Sequence, residues 1–177
     1  MIALVLDTET TALVANRSMA DSWLPEIIEI YAEMVDLANE TSFTYLHHFI
    51  KPARPISEEI TKITGIDNAM VANQPDFGVI APIIIELIEK APSVIAHNAS
   101  FDCECLDIEM QRVGLEIKWP RTICTVEQTV HLTGRRLTLS TLHEHLFGEK
   151  FADAHRASTD CAALIRCCRE LFKRGEL

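Results

Sequence analysis

Four acidic side chains in this sequence stand where an apolar core would otherwise continue. Asp7 follows directly on the apolar run Ile2 to Leu6, and Glu9 comes two residues later. On a strand, that spacing aims both carboxylates to the same side. Two anions held so close raise each other's pKa unless a cation joins them. The doublet alone carries little, since at roughly 6% usage of each acid a chain this long shows one by chance about half the time. Asp102 lies just beyond a second apolar run, Ser93 to Ala96, and strand ends are where sites gather in sheets with parallel strands. Asp160 falls three residues after Ala157 and four before Leu164, on or beside the apolar stripe of the last helix. An aspartate there is rarely buried without a partner. An ion pair with Arg156, four residues earlier, has the less favourable orientation and would contribute only ~0.2–0.5 kcal/mol.

Together these are four acids from three segments, two of them beside apolar runs. Oxygen-only ligands suit a hard divalent cation, Mg²⁺ or Mn²⁺, and not zinc. Two such ions about 4 Å apart are the usual arrangement for cutting phosphodiesters. His155 lies five residues before Asp160 and on an ideal helix would point away from it. On the loop that leads into the helix it can hang over the same site and deprotonate a water near neutral pH. Other chemistries lack their signatures: there is no G-x-S-x-G and no Walker A, and His143-Glu144-His145 lacks His-Glu-x-x-His spacing.

The elements that must position these residues follow from pattern. Ile2 to Leu6 reads as a strand buried on both faces. Ile27 to Leu37 and Ser42 to Lys51 read as an antiparallel hairpin, and Thr10 to Leu24 as a loop. Ser57 caps a short helix. Pro75 to Lys90 reads as a longer helix, kinked or restarted at Pro82. Ser93 to Ala96 is a second strand. Ser100 to Val113, Thr125 to Leu132 and Leu139 to Phe147 are helical. Ala154 to Phe172 is the clearest helix, with Ala157, Cys161, Leu164, Ile165, Cys168 and Phe172 in one apolar stripe. This order predicts an α/β fold, a mixed sheet with helices on its faces, in one domain over residues 1–177.

Composition sets the outer bounds. The chain has 177 residues, 48% apolar and 24% charged, which excludes a disordered chain and a coiled coil. No apolar stretch approaches the ~20 residues of a membrane span, and the N-terminus lacks a signal-peptide pattern. We therefore expect a cytoplasmic protein with no membrane partner. The six cysteines include no C-x-x-C and read as small buried thiols. A net charge of −10 argues against a protein that coats nucleic acid. It leaves room for an enzyme that grips a few nucleotides through metal ions. Lys51, Arg54, Lys62, Arg121, Arg135, Arg136 and Arg156 are candidate phosphate contacts.

Three motifs, Asp7-Thr8-Glu9-Thr10-Thr11, His97-Asn98-Ala99-Ser100-Phe101-Asp102 and His155-Arg156-Ala157-Ser158-Thr159-Asp160, resemble those of the DEDDh (histidine-subtype) 3′→5′ exonucleases. That family includes exodeoxyribonuclease X and polymerase proofreading subunits. Glu26 to Ile30, Pro55-Ile56-Ser57, Ile63 to Ile66, Arg121 to Thr125 and Leu137 to Ser140 match its connecting segments. Ala12 stands where many members have Gly, and the loop Val14 to Leu24 is longer than some carry. The resemblance implies an RNase H-like five-stranded mixed sheet flanked by helices. It implies that Asp7, Glu9, Asp102 and Asp160 hold two Mg²⁺ or Mn²⁺ ions, and that His155 is the general base. It places Thr8, Thr10, Leu13, Ile63, Thr64, Asn98 and Phe101 near the terminal nucleotide, with Trp23 or Met19 as further stacking candidates. The implied substrate is a single-stranded or frayed 3′ end of DNA, released as nucleoside 5′-monophosphates. Trimming of RNA 3′ ends, and a proofreading role beside a DNA polymerase or repair partner, are the alternatives; a homodimer is a further state that relatives adopt.

Overall fold

A computed structural model describes residues 1–12, 24–151 and 155–177. Leu13, Met19 and Trp23 lie outside the described residues. Five strands form one sheet in the order β3-β2-β1-β4-β5. They are β1 (Ile2–Thr10), β2 (Ile27–Asp36), β3 (Thr41–Phe49), β4 (Ser93–Ala96) and β5 (Arg121–Cys124). The predicted hairpin is present: β2 runs antiparallel to both β1 and β3. β4 and β5 are parallel to β1 and to each other.

The sheet is covered on both faces, and the alternation of β1 decides which residue meets which face. Leu4 and Leu6 pack in a core with Phe77, Ile80 and Ile84 of α3 (Phe77–Lys90) and Cys105 and Leu106 of α4 (Ala99–Arg112). Ala3 and Val5 point the other way, into a core with Cys161, Leu164, Ile165 and Cys168 of α8 (Ala157–Arg174). β1 runs on past its apolar run to Thr10, so the alternation carries the odd-numbered Asp7 and Glu9 to the α8 side and Thr8 to the α4 side.

Smaller helices fill the edges: α1 (Glu58–Thr64), α2 (Asn68–Val71), α5 (Thr125–Gln128), α6 (Val130–Thr133) and α7 (Leu139–Phe147). Ser57 caps α1 as its position predicts, accepting the Ile60 N–H at 3.3 Å. Two expectations need correction. α3 continues through Pro82 without a restart, because Pro82 lies in the second turn of a helix already fixed by its Asp76 cap and its buried apolar face. The stretch from Thr125 to Leu132 is two short helices and not one, divided at the buried Thr129, whose backbone φ of −102° and ψ of 3° leave the helical range. All six cysteines are free. Among the described residues, no helix is long and apolar enough to cross a membrane.

Candidate active site

The ends of β1, α4 and α8 bring the four acids together. Asp7 and Glu9 leave the α8 face of β1, and Asp160 sits in the first turns of α8. Asp102 sits in the first turn of α4 and arrives from the opposite side. It is tied to β1 by Thr8, whose N–H and hydroxyl donate to its Oδ1 at 3.0 and 2.8 Å. Thr8 was expected to meet substrate. It is buried, and its hydroxyl is turned inward to orient a carboxylate instead.

His155 is where the loop reading put it. α8 starts at Ala157, two residues after His155 and three later than the sequence pattern suggested. His155 adopts a left-handed backbone, φ 70°, which is costly for a residue with a Cβ. Its N–H donates to Asp160 Oδ2 at 2.9 Å, and its ring is exposed. Ligand-type atoms of Glu9, His155 and Asp160 all lie within 4.8 Å of one another.

The electrostatics of this cluster are those of a site short of positive charge. Burial pushes the Asp7 carboxyl well above the usual range, and the charges of Asp102, Asp160 and Glu9 push the same way. Burial, then Asp160, Glu29 and Asp102, raise Glu9 to about 8. Burial raises Asp102 to about 7 against the pull of the two Thr8 hydrogen bonds. Asp160 is also raised by burial, opposed by the His155 N–H. Its Oδ1 is buried with no hydrogen-bond partner among the described residues. A buried carboxylate oxygen left unpaired is strongly disfavoured. A divalent cation fits this donor set, because it would ligate that oxygen and offset the mutual repulsion of oxygen-only ligands.

Beside the acids lies an open groove of about 440 Å³, lined by Asp7, Asp160, His155, His97, Asn98, Arg136 and the segment Leu137 to Leu139. Asn98 takes a left-handed φ of 73° at the N-cap of α4. Its Oδ1 accepts from Arg136 Nη2 at 3.2 Å. Arg136 also pairs with Glu127. His97 is held between Thr125 Oγ1 at 2.9 Å and the Leu137 carbonyl at 3.1 Å. Burial lowers its pKa to about 4, so at neutral pH it is an uncharged prop for the groove wall.

The remaining candidates are placed as follows. Ile63 is exposed on α1. Thr64 is buried, its hydroxyl donating to the Ile60 carbonyl at 3.0 Å and accepting the Ile66 N–H at 3.1 Å. Thr10 is buried and donates to the Ala12 carbonyl at 2.7 Å. Phe101 is half-buried against the α3–α4 core. Three of the candidate phosphate contacts already pair with acids, Arg136 with Glu127 as above. Arg54 pairs with Glu26 at 2.8 Å. Arg156 turns from Asp160 to Glu29 on β2, at 3.1 Å. Glu29 is the residue that sequence reasoning missed. Its signals were a charge at an otherwise apolar stretch of β2, Ile27-Ile28-Glu29-Ile30, and its place in the segment Glu26 to Ile30 that resembles the family's.

A profile of the exonuclease (RNase_T) family matches residues 4–168. The DNA polymerase III subunit epsilon of Pasteurella multocida is 35% identical over 149 residues, which cover 81% of this chain and 56% of that protein. The chain thus spans just over half the length of this relative. Among solved structures, one described as exonuclease X in complex with 5′ overhanging duplex DNA superposes with a TM-score of 0.69 at 24% identity, covering 98% of this chain and 93% of that one. The nuclease domain of 3′hExo, a DEDDh family member bound to rAMP, superposes with a TM-score of 0.82 at 16% identity, covering 98% and 92%. At those identities the two structures establish the shared fold.

Proposed function

The chain belongs to the exonuclease (RNase_T) family, as a DEDDh-type member, and on that premise we propose that it removes nucleotides one at a time from the 3′ end of DNA. Asp7, Glu9, Asp102 and Asp160 would hold two Mg²⁺ or Mn²⁺ ions, which supply charge stabilisation to the phosphoryl group and acidify the attacking water. The observation that carries this reading is the mutual electrostatic coupling of four carboxylates from β1, α4 and α8, two of which, Asp7 and Asp160, line an open groove, with Asp160 Oδ1 unpartnered among the described residues.

The protein's own groups have distinct tasks. His155, exposed beside the groove and fixed to Asp160 through its N–H, takes the proton of the attacking water. Thr8 fixes the rotamer of Asp102. The groove, with Asn98 and Arg136 on its wall, receives the strand end, and Ile63 offers an apolar contact to the terminal base. Arg136, on the groove wall and paired with Glu127, would turn to a backbone phosphate of the bound strand. The product is a nucleoside 5′-monophosphate and a strand shortened by one residue. The −10 charge of the chain suits shallow binding at an end over wrapping of a duplex.

The test is incubation of the purified chain with 5′-labelled single-stranded DNA, duplex DNA with a frayed 3′ end, and RNA, with and without Mg²⁺. The reading expects a metal-dependent ladder of products shortened from the 3′ end, strongest on DNA. Preferential shortening of RNA would transfer the reaction to an RNA substrate. Internal cuts, or no cleavage with either metal, would contradict the reading. Retention of the chain by an immobilised DNA polymerase would assign it to proofreading. Sedimentation of the chain alone would report a homodimer.

A further inference from the structure

Glu29 is fully buried on β2, across the strand pair from Glu9, and faces α8. Both of its oxygens are occupied. Arg156 Nε donates to Oε2 at 3.1 Å and Arg156 Nη2 to Oε1 at 3.2 Å. The Ala157 N–H donates to Oε2 at 3.2 Å. His47 Nε2 lies 2.7 Å from Oε1. The Arg156 guanidinium is also seated over the Phe49 ring, 5.1 Å from its centroid. A carboxylate offers about four acceptor positions, so these contacts fill Glu29 and leave it none for a metal ion.

The residues Glu29 grips are the two that follow His155. They form the N-cap and first residue of α8. His155 itself is exposed, holds a left-handed backbone, and among the described residues is tied by one hydrogen bond of its own, to Asp160. A strained residue persists only where its surroundings fix it. A fork-to-fork pair between arginine and carboxylate is directional as well as strong.

We propose that Glu29 is a positioning residue for the hydrolysis: through Arg156 and the Ala157 N–H it clamps the start of α8 to β2 and so holds His155 over the four acids. The inference rests on the reading of His155 as the general base. Displacing such a group by about 1 Å costs on the order of 10²-fold in rate. Glu29 never meets the substrate, so binding is spared.

The experiment is a double-mutant cycle on the purified chain with Mg²⁺ and a labelled DNA oligonucleotide. It compares wild type, Glu29→Gln, His155→Ala and the pair combined, with kcat and KM measured for each. Glu29→Gln is expected to lower kcat about 10- to 100-fold, with KM within about threefold. In the His155→Ala background the same change is expected to cost less than about threefold, because the group it positions is gone. Arg156→Lys keeps the charge opposite Glu29 and loses the fork. It is expected to reproduce the kcat loss with the thermal transition retained, which covers a poorly folding Glu29→Gln. Equal losses in both backgrounds would overturn the proposal, as would an unchanged kcat in Glu29→Gln and Arg156→Lys. Wild-type turnover in His155→Ala alone would mark failure of the general-base reading, separately from the Glu29 arms.

Discussion

Replacing Thr8 by valine tests how the site holds Asp102. The Thr8 hydroxyl donates to Asp102 Oδ1 at 2.8 Å, and the Thr8 N–H donates to the same oxygen at 3.0 Å. Valine keeps the backbone bond and nearly the same volume, and removes only the hydroxyl. The loss is one hydrogen bond to an ionised acceptor, about 1.5–3 kcal/mol. The bond favours the charged carboxylate, the form that binds metal, so its loss falls on metal affinity as roughly a 10- to 150-fold weakening. Groups that orient metal ligands in other proteins cost about 10–100-fold when removed, which agrees. Calorimetric titration with Mn²⁺ and hydrolysis measured against Mg²⁺ concentration both read this. Half-saturation should move to higher metal in Thr8→Val, with turnover largely restored at saturating metal. Thr8→Ser, which keeps the hydroxyl, should stay within about threefold of wild type. Unchanged Mn²⁺ affinity in Thr8→Val would refute the reasoning. An equal loss in Thr8→Ser would assign the effect to packing instead.

Further expectations follow from the same geometry. Glu9 and Asp102 titrate at about 8 and about 7 in the folded chain, above their ordinary 4.5 and 3.8. The metal-free folded state therefore binds more protons than the unfolded chain between about pH 4 and pH 8, and its melting temperature should fall as pH rises through that window. Calorimetric scans across that range check the sign, and a rise would contradict it. Divalent metal at about 100 times its Kd adds about 2.7 kcal/mol, or roughly 5–10 °C in a chain of this size. At one fixed Mn²⁺ concentration the gain should be larger at pH 8 than at pH 5, because protonation of the carboxylates raises the Kd; scans with and without Mn²⁺ at both values measure it. His155→Ala should lower kcat about 10²–10⁴-fold and leave Mn²⁺ affinity nearly intact; an altered KM with unchanged kcat would remove the residue from its role. Ile63, exposed on α1, should when changed to aspartate raise KM for DNA about tenfold with kcat and thermal stability unchanged, as loss of an apolar base contact would.

What was legible in the sequence depended on range. The positions of Asp7 and Glu9 could be read because strand alternation is local and strict, and β1 obeys it to Thr10. Asp160 stood out because an acid interrupts the apolar stripe of α8. The start of α8 was less legible. The stripe gives a helix but no boundary, and the boundary is set by the Asp160 carboxylate turning back to the His155 N–H and by Glu29 holding the next turn. Glu29 and Arg156 are 127 residues apart, and neither has a local pattern that names the other. Strand β5 has exposed Arg121 and Thr122 beside buried Ile123; four residues are too few for a period, so only the family resemblance pointed there. The resemblance places Thr8 near the substrate because the motif fixes its position and says nothing of where its hydroxyl turns. Arg156 was weighed against Asp160 for the same reason: on one helix the nearest acid is visible, whereas the acid on the neighbouring strand is not.

On the proposed function, Asp7, Glu9, Asp102 and Asp160 would together hold divalent cations beside the groove. Crystals grown with Mn²⁺ and a short 3′-ended oligonucleotide, measured at the manganese absorption edge, test it most directly. The account predicts anomalous peaks enclosed by those four carboxylates, one of them against Asp160 Oδ1, with the terminal phosphodiester beside them. Manganese bound only elsewhere on the chain, with the four carboxylates bare and the strand end seated away from them, would contradict it.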